Sequence, residues 1–154
     1  MQGEKAALKL NLMGIIGGIL AFISLALPWW TMSVSTAFET YGNFAVDTSV
    51  YPYTAGILSP EISLWYGWVA LTLIITGGLI GLAGSLKPNK AKMLSTGGAL
   101  ALVSIIIFAV GLQIDLLQDT IGTGAANVYL FHMGSDYYAS YFAYLSFGFW
   151  IALV

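Results

Sequence analysis

The sequence predicts an all-α membrane protein, a four-transmembrane-helix bundle with a small extracellular β-hairpin between its first two helices. Of the 154 residues, 58% are hydrophobic and only 8% are charged, whereas soluble domains carry about 25% charged residues. A bilayer needs roughly 20 helical residues to cross it. Four uncharged runs are near or above that length: 10–27, 62–86, 93–114 and 137–154. We therefore expect a single integral membrane domain over 1–154.

The first helix is predicted over 6–27. It ends at Pro28, because proline disfavours helical backbone in the residue before it. Trp29 and Trp30 follow at once and are expected at headgroup level. The apolar stretch after Lys9 is longer than the 7–15 apolar residues of a signal peptide, so we expect this helix to be retained.

The outer segment 28–59 predicts a β-hairpin. Apolar and hydroxyl side chains alternate on either side of the turn sequence Tyr-Gly-Asn, which is the period of a strand with one covered face. The strands are expected near 31–38 and 43–51. Ser59, Pro60 and Glu61 then suit the start of a second helix over 60–86.

A short inner loop, 87–92, makes the second helix and a third helix over 90–117 antiparallel neighbours. The outer segment 118–135 is glycine-rich and is predicted to be a loop. Ser135 or Asp136 is expected to cap a fourth helix over 136–154.

Charge placement predicts the orientation. The chain has no arginine, and its five lysines, at 5, 9, 87, 90 and 92, fall in the N-terminal tail and the inner loop. The positive-inside rule makes that side cytoplasmic. We therefore expect a multi-pass plasma-membrane protein with both termini in the cytoplasm, of prokaryotic origin. Six of the seven acidic residues fall on the outer side.

Small residues four apart occur in all four predicted helices. Such residues let helix backbones approach closely in lipid, although glycine is also simply frequent in membrane helices. All of them fall in the cytoplasmic half, so we expect a bundle that is narrow there and wide outside. The helix-packing candidates are Gly14, Gly18, Gly77, Gly81, Gly97, Ala101, Gly148 and Ala152.

Aromatic residues cluster at the expected outer interface, where amphipathic rings are favoured. The predicted interface belt consists of Trp29, Trp30, Trp65, Trp68, Tyr137 and Tyr141.

Few residues indicate chemistry. Proton relays and transporters need ionisable groups inside the membrane, and the nearest candidate, Asp115, falls at the outer end of the third helix. The single histidine, His132, could share a metal ion with Asp119 and Asp136, but their spacing does not demand it. Cysteine is absent, and a net charge of -2 gives no nucleic-acid footprint. We expect no catalytic residue and no cofactor.

The layout resembles that of the claudin/PMP22-type four-helix membrane proteins. Trp29 or Trp30 stands where that family has a tryptophan soon after its first helix, and Leu64 to Trp68 reads Leu-Trp-Tyr-Gly-Trp. The family's two outer cysteines and its Gly-Leu-Trp motif are absent. The resemblance implies adhesion, barrier formation or an accessory role.

Two functions remain open from the sequence. The first is a non-catalytic structural or accessory subunit of a larger membrane assembly, with other membrane subunits, further copies of itself and lipids as partners. The alternative is a small transporter, channel or lipid- or quinone-binding protein that uses an outward-facing crevice. A membrane-enzyme subunit with a metal at His132 is a third, weaker hypothesis.

Overall fold

A computed structural model describes residues 11–38, 42–52, 65–86, 91–123, 130–135 and 139–154. Four helices and four strands make up this part of the chain. In chain order they are α1 (Leu12–Leu25), β1 (Trp30–Phe38), β2 (Gly42–Val50), α2 (Trp65–Ser85), α3 (Ala91–Thr123), β3 (His132–Ser135), β4 (Ala139–Leu145) and α4 (Phe147–Leu153).

Two of these helices are long and apolar enough to cross a membrane: α2, with 21 residues, and the Ala91–Leu117 part of α3. They correspond to the predicted second and third helices. α1 is a shorter apolar helix of 14 residues, which begins at the cap residue Asn11. The Asn11 side chain accepts a hydrogen bond from the amide of Gly14 (3.2 Å). The predicted start at residue 6 lies outside the described residues.

The strands form one antiparallel sheet in the order β2-β1-β4-β3. The predicted hairpin is present, and its register runs from Trp30 opposite Val50 to Phe38 opposite Gly42. The sheet is nevertheless larger than predicted. β1 pairs on its other side with β4, which places Trp30 opposite Leu145, and β3 then pairs with β4.

The predicted fourth helix over 136–154 is wrong. Residues 139–145 form β4, and only the seven residues of α4 are helical. The reason lies in a period of two that the apolar character of this run conceals. Ser140 and Phe142 are exposed, whereas Ala143 and Leu145, which belong to the other face of the strand, are buried, and aromatic residues favour such half-covered strands.

The segment between the third helix and β4 also differs from the predicted loop over 118–135. α3 continues to Thr123, and β3 begins at His132. The four-span bundle is therefore not confirmed, since among the described residues only α2 and α3 are long and apolar enough to cross a membrane.

The helices pack with α2 in the middle. α2 contacts both α1 and α3, and α4 contacts the same two helices. We call the end where α1 finishes and α2 begins the sheet end, because β1 and β4 join the helices there. We call the opposite end, where α2 finishes at Ser85 and α3 begins at Ala91, the loop end.

Candidate functional site: a glycine-lined groove at the loop end

The Pro-Trp-Trp step joins three elements at the sheet end. The Trp29 amide donates to the carbonyl of Val50 (2.8 Å), and the Trp29 carbonyl accepts from the amide of Ser146 (2.9 Å). Through its backbone, Trp29 therefore joins the residue before β1 to both the end of β2 and the start of α4. Its indole Nε1 donates to the carbonyl of Ser24 (2.9 Å) near the end of α1.

The prediction that Trp29 and Trp30 belong to an interface belt is wrong, because neither side chain has any exposed surface. The chain turns directly from α1 into β1, so both rings point into the molecule. The Trp30 Nε1 finds its acceptor in the carbonyl of Leu130 (3.2 Å). A buried indole keeps a hydrogen bond in this way while its ring fills the core.

The other predicted belt residues differ in placement. Trp65 and Trp68 on α2 are exposed, at 64% and 52%. Tyr141 lies on β4, but its side chain is outside the described residues, as is the whole of Tyr137. For these four residues the belt stays a prediction.

Aromatic rings fill the sheet end. Phe108 packs edge-on against Trp29, with ring centroids 5.0 Å apart, and against Tyr66 at 6.0 Å. Leu112 and Leu116 of α3 are buried beside them. The prediction of a wide outer half with an open aromatic crevice is therefore wrong for the described residues, since the bulky rings occupy the space that their size was expected to leave open.

Glycines form the contact between α2 and α3 near the loop end. A Cβ atom at Gly97 would lie 2.6 Å from both the carbonyl oxygen of Gly77 and the amide nitrogen of Gly81. A Cβ atom at Gly77 would in turn lie 3.2 Å from the amide nitrogen of Ala101. The structure thus brings these four predicted packing residues together at one crossing, where the backbones touch.

The remaining packing candidates lie at contacts of α1 and α4. A Cβ atom at Gly14 would overlap the hydroxyl of Ser85, and one at Gly18 would lie 2.5 Å from Leu82. On α4, a Cβ atom at Gly148 would lie 2.6 Å from the carbonyl oxygen of Leu27. Ala152 is also buried.

The loop end carries a groove of about 390 Å³ to which all four helices contribute. α2 and α3 supply the crossing glycines, α1 supplies a face that includes Gly14, Gly17 and Gly18, and the last residues of α4 lie at one end. The lining is backbone and apolar side chain with Asn11 at one edge. A surface of this kind can hold an apolar chain or a helix, and none of the described residues that line it carries a titratable or nucleophilic side chain.

Three glycines at the groove differ from Gly77 and Gly97 in what their missing side chains would meet, although the backbone of Gly81 also takes part in the crossing. A Cβ atom at Gly17, Gly81 or Gly98 would meet no atom within 4 Å. Gly17 and Gly98 are not among the residues predicted to pack, although the doubled glycines Gly17–Gly18 and Gly97–Gly98 mark these positions in the sequence. Adjacent residues on a helix point about 100° apart, so one glycine of each pair packs while the other stays open.

Polar side chains within the described helices are mostly bonded locally. The Ser104 hydroxyl is an exception that links two helices, since it donates to the carbonyl of Ala70 (2.7 Å). On α3, Gln113 accepts from the amide of Leu130 (3.1 Å). Asp115 has one carboxylate oxygen that is buried without a hydrogen-bond partner among the described residues.

The metal candidates are not brought together by anything in the described part of the chain. His132 opens β3 and Asp119 lies on α3, but the side chains of both are outside the described residues, and so is all of Asp136. Among the residues that are described, no three metal-ligating side chains form a group. Metal binding at these positions stays a prediction.

The groove is therefore a feature of the described structure that has room for another molecule. Comparison with known proteins adds no family to this geometry: no protein-family model matches the chain, and no curated protein matches it significantly.

Proposed function

We propose that this protein is an integral membrane protein that acts as a non-catalytic accessory or structural subunit and binds its partner at the loop-end groove. The observation that carries the proposal is the contrast between the two ends of the bundle. Aromatic rings fill the sheet end, whereas the loop end keeps an open, apolar groove lined by glycine. Close approach of helix backbones is the use that membrane proteins make of such surfaces.

The outward faces of the helices support the membrane setting. On α3 large apolar residues recur every three or four positions and are 36–60% exposed: Leu102, Ile106, Val110, Ile114 and Leu117. A continuous apolar stripe along a helix suits a lipid-facing surface, because soluble monomers rarely expose large contiguous apolar patches. Lipid rather than water is its natural solvent.

The proposed orientation follows from the lysines. Lys92 is exposed on the first turn of α3, and Lys87 and Lys90 flank the same end of the bundle in sequence. The positive-inside rule then places the loop end and the groove in the cytoplasmic half of the plasma membrane, with the sheet on the outer side.

Native mass spectrometry after extraction in a mild detergent tests the proposed function. We expect the chain to be released in a complex with another membrane polypeptide, at defined stoichiometry. A lone monomer, with or without bound lipid, under every mild condition contradicts the accessory role. A co-purified lipid or quinone as the sole companion supports the small-molecule alternative instead.

A further inference from the structure

We infer that the outer edge of the lipid hydrocarbon lies at the level of Gly111 on α3, where exposed aromatic side chains contact the phospholipid headgroups. We call these side chains the aromatic collar; they are 49–75% exposed and belong to Trp65, Trp68, Phe131, Phe147 and Trp150. This position of the chain in the bilayer rests on the membrane setting of the proposed function. It makes the end of α3 part of an outer domain together with the sheet.

On one side of the bundle, the collar residues of α2 are level with Gly111. A Cβ atom at Gly111 would overlap the ring of Tyr66, so α2 and α3 touch at this height. Trp65 precedes Tyr66 and Trp68 follows it by two residues, so both lie within about 3 Å of Tyr66 along the helix axis. Their side chains are exposed, whereas Tyr66 is fully buried.

On the other side of the bundle, α4 carries two collar residues at nearly the same height. α2 and α4 both pack against α1 and α3, whereas the described residues of α2 and α4 do not pack against each other to a comparable extent. A Cβ atom at Gly148 would lie 2.6 Å from the Trp29 side chain, and the Trp29 ring packs on Phe108, which is one helical turn from the collar level. Phe147 and Trp150, close to Gly148 in sequence, therefore lie near that level.

The distance from the collar to the lysine-bearing loop end equals one hydrocarbon thickness. α2 rises about 29 Å from Tyr66 to Ser85, and α3 rises about 29 Å from Lys92 to Gly111, at 1.5 Å per residue. The hydrocarbon core of a bilayer is about 30 Å thick. Apart from Lys92 at its boundary, neither stretch contains a charged residue, so both stretches suit the same slab of lipid.

The distribution of aromatic residues favours lipid over a protein partner at the collar. Among the exposed large apolar side chains of the described helices, those nearer the loop end carry no ring, as Leu79, Val103 and Ile106 illustrate. Aromatic rings are enriched at headgroup level in membrane proteins. A protein partner would require the aromatic residues to cluster in one patch, but those of α2 and α4 lie on opposite sides of the bundle.

Polar groups begin on α3 directly beyond the collar level. Gln113 accepts a hydrogen bond from the amide of Leu130 (3.1 Å), which holds the next residue, Phe131, close to the level of Gly111. Asp115 lies about 6 Å beyond Gly111 along the helix, and the headgroup layer is about 5–7 Å thick on each side of the bilayer. The Asp115 carboxylate therefore falls among headgroups rather than in hydrocarbon, and the rest of α3 extends past them.

A spin-label scan along the exposed face of α3 tests the boundary. The chain has no cysteine, so single cysteines in place of Ile106, Val110, Ile114 and Leu117 each carry one nitroxide in vesicles of phosphatidylcholine and phosphatidylglycerol. We expect the ratio of collisions with oxygen to collisions with a water-soluble nickel complex to be high at 106 and 110 and to fall at 114. At 117, about 9 Å beyond Gly111, the ratio should reach its value in water.

Fluorescence quenching tests the collar in the unmodified chain. All five tryptophans, at 29, 30, 65, 68 and 150, belong to the collar or lie near its level. We expect lipids brominated next to the headgroup to quench their emission more than lipids brominated at the ends of the acyl chains. Val103→Trp is the control, because it adds an exposed ring about 12 Å from the Gly111 level, and that ring should be quenched more by the chain-end bromines.

The results separate the collar from the membrane setting on which it rests. If positions 106 and 117 are both in hydrocarbon, or if the native tryptophans are quenched mainly by chain-end bromines, the membrane setting stands and the boundary at Gly111 is wrong. Native tryptophans that no brominated lipid quenches, beside a Val103→Trp ring that is quenched, would mean that protein covers the collar, which also overturns the inference. If position 106 is as open to the nickel complex as position 117, the membrane setting itself fails.

Discussion

At the scale of single residues, the glycines fall into two groups: those at which an added Cβ atom would clash with a neighbour, and those at which it would meet open space. The spacing of four predicts which glycines pack, and Gly77 and Gly97 do lie at a helix crossing. The same spacing cannot tell that Gly98 opens on a groove, because the distinction depends on where the neighbouring helix lies. Sequence patterns report periodicity along one helix, and packing against another helix is a property of the pair.

Alanine at these two neighbours should have opposite effects. Gly97→Ala places a Cβ atom 2.6 Å from two backbone atoms, so we expect a loss of about 1–3 kcal/mol from overpacking. Gly98→Ala meets open space and replaces a poor helix former, so the change should be neutral or stabilising by up to about 1 kcal/mol. Thermal unfolding in detergent, followed by circular dichroism, measures both. Equal shifts for the two variants would show that the crossing is not where the structure places it.

Trp29 should matter for stability far more than an exposed tryptophan does. It is fully buried and its backbone and indole bond to three elements, so Trp29→Ala should cost about 3–5 kcal/mol. Trp65→Ala is the control, because Trp65 is 64% exposed, and we expect little change. The midpoint of thermal unfolding reports the difference. Similar midpoints for the two variants are incompatible with a buried Trp29.

At the scale of elements, composition finds the two long helices and alternation finds the β1–β2 hairpin. It does not find β4. The run 137–154 is long and apolar enough for a membrane helix. Its alternation with a period of two is weak, because it appears only as small differences in size and polarity between neighbouring residues. What decides the matter is tertiary: β1 has a second edge, and β4 supplies its hydrogen bonds.

A cysteine scan over 139–145 distinguishes the strand from the predicted helix. In a strand, cysteines at 140 and 142 should react with a water-soluble maleimide and those at 143 and 145 should not, because Ala143 and Leu145 are buried. The expected reactivity alternates at every second residue. Reactivity that recurs every three to four residues would instead restore a helix over this segment.

A hydrogen bond from a side chain of α3 to the backbone of α2 links these two helices. Ser104 is fully buried and its hydroxyl donates to the carbonyl of Ala70. Ser104→Ala should destabilise the chain by about 1 kcal/mol, the usual net value of such a bond. Thr76→Ala is the control, since the Thr76 hydroxyl bonds within its own helix and is exposed. An equal effect of both changes would argue against this link.

At the scale of the whole molecule, the two ends of the bundle differ in what fills them. The segregation of glycine and aromatic residues is visible in the sequence, but the end that is open and the end that is filled are the reverse of those predicted. Large rings close the sheet end because the chain turns them inward, and glycines leave room at the loop end because they carry no side chains. The open groove is thus a product of packing, which no single helix encodes.

Site-directed labelling in intact cells is the most direct test of a membrane-embedded bundle with its loop end inside. Single cysteines replace Ser35 on the sheet, Ile106 on the exposed face of α3 and Lys92 at the loop end. We expect a membrane-impermeant maleimide to label position 35 from outside, to label position 92 only after permeabilisation, and to leave position 106 unlabelled in both. Labelling of position 92 in sealed cells, or of position 106 by the aqueous reagent, would contradict the account.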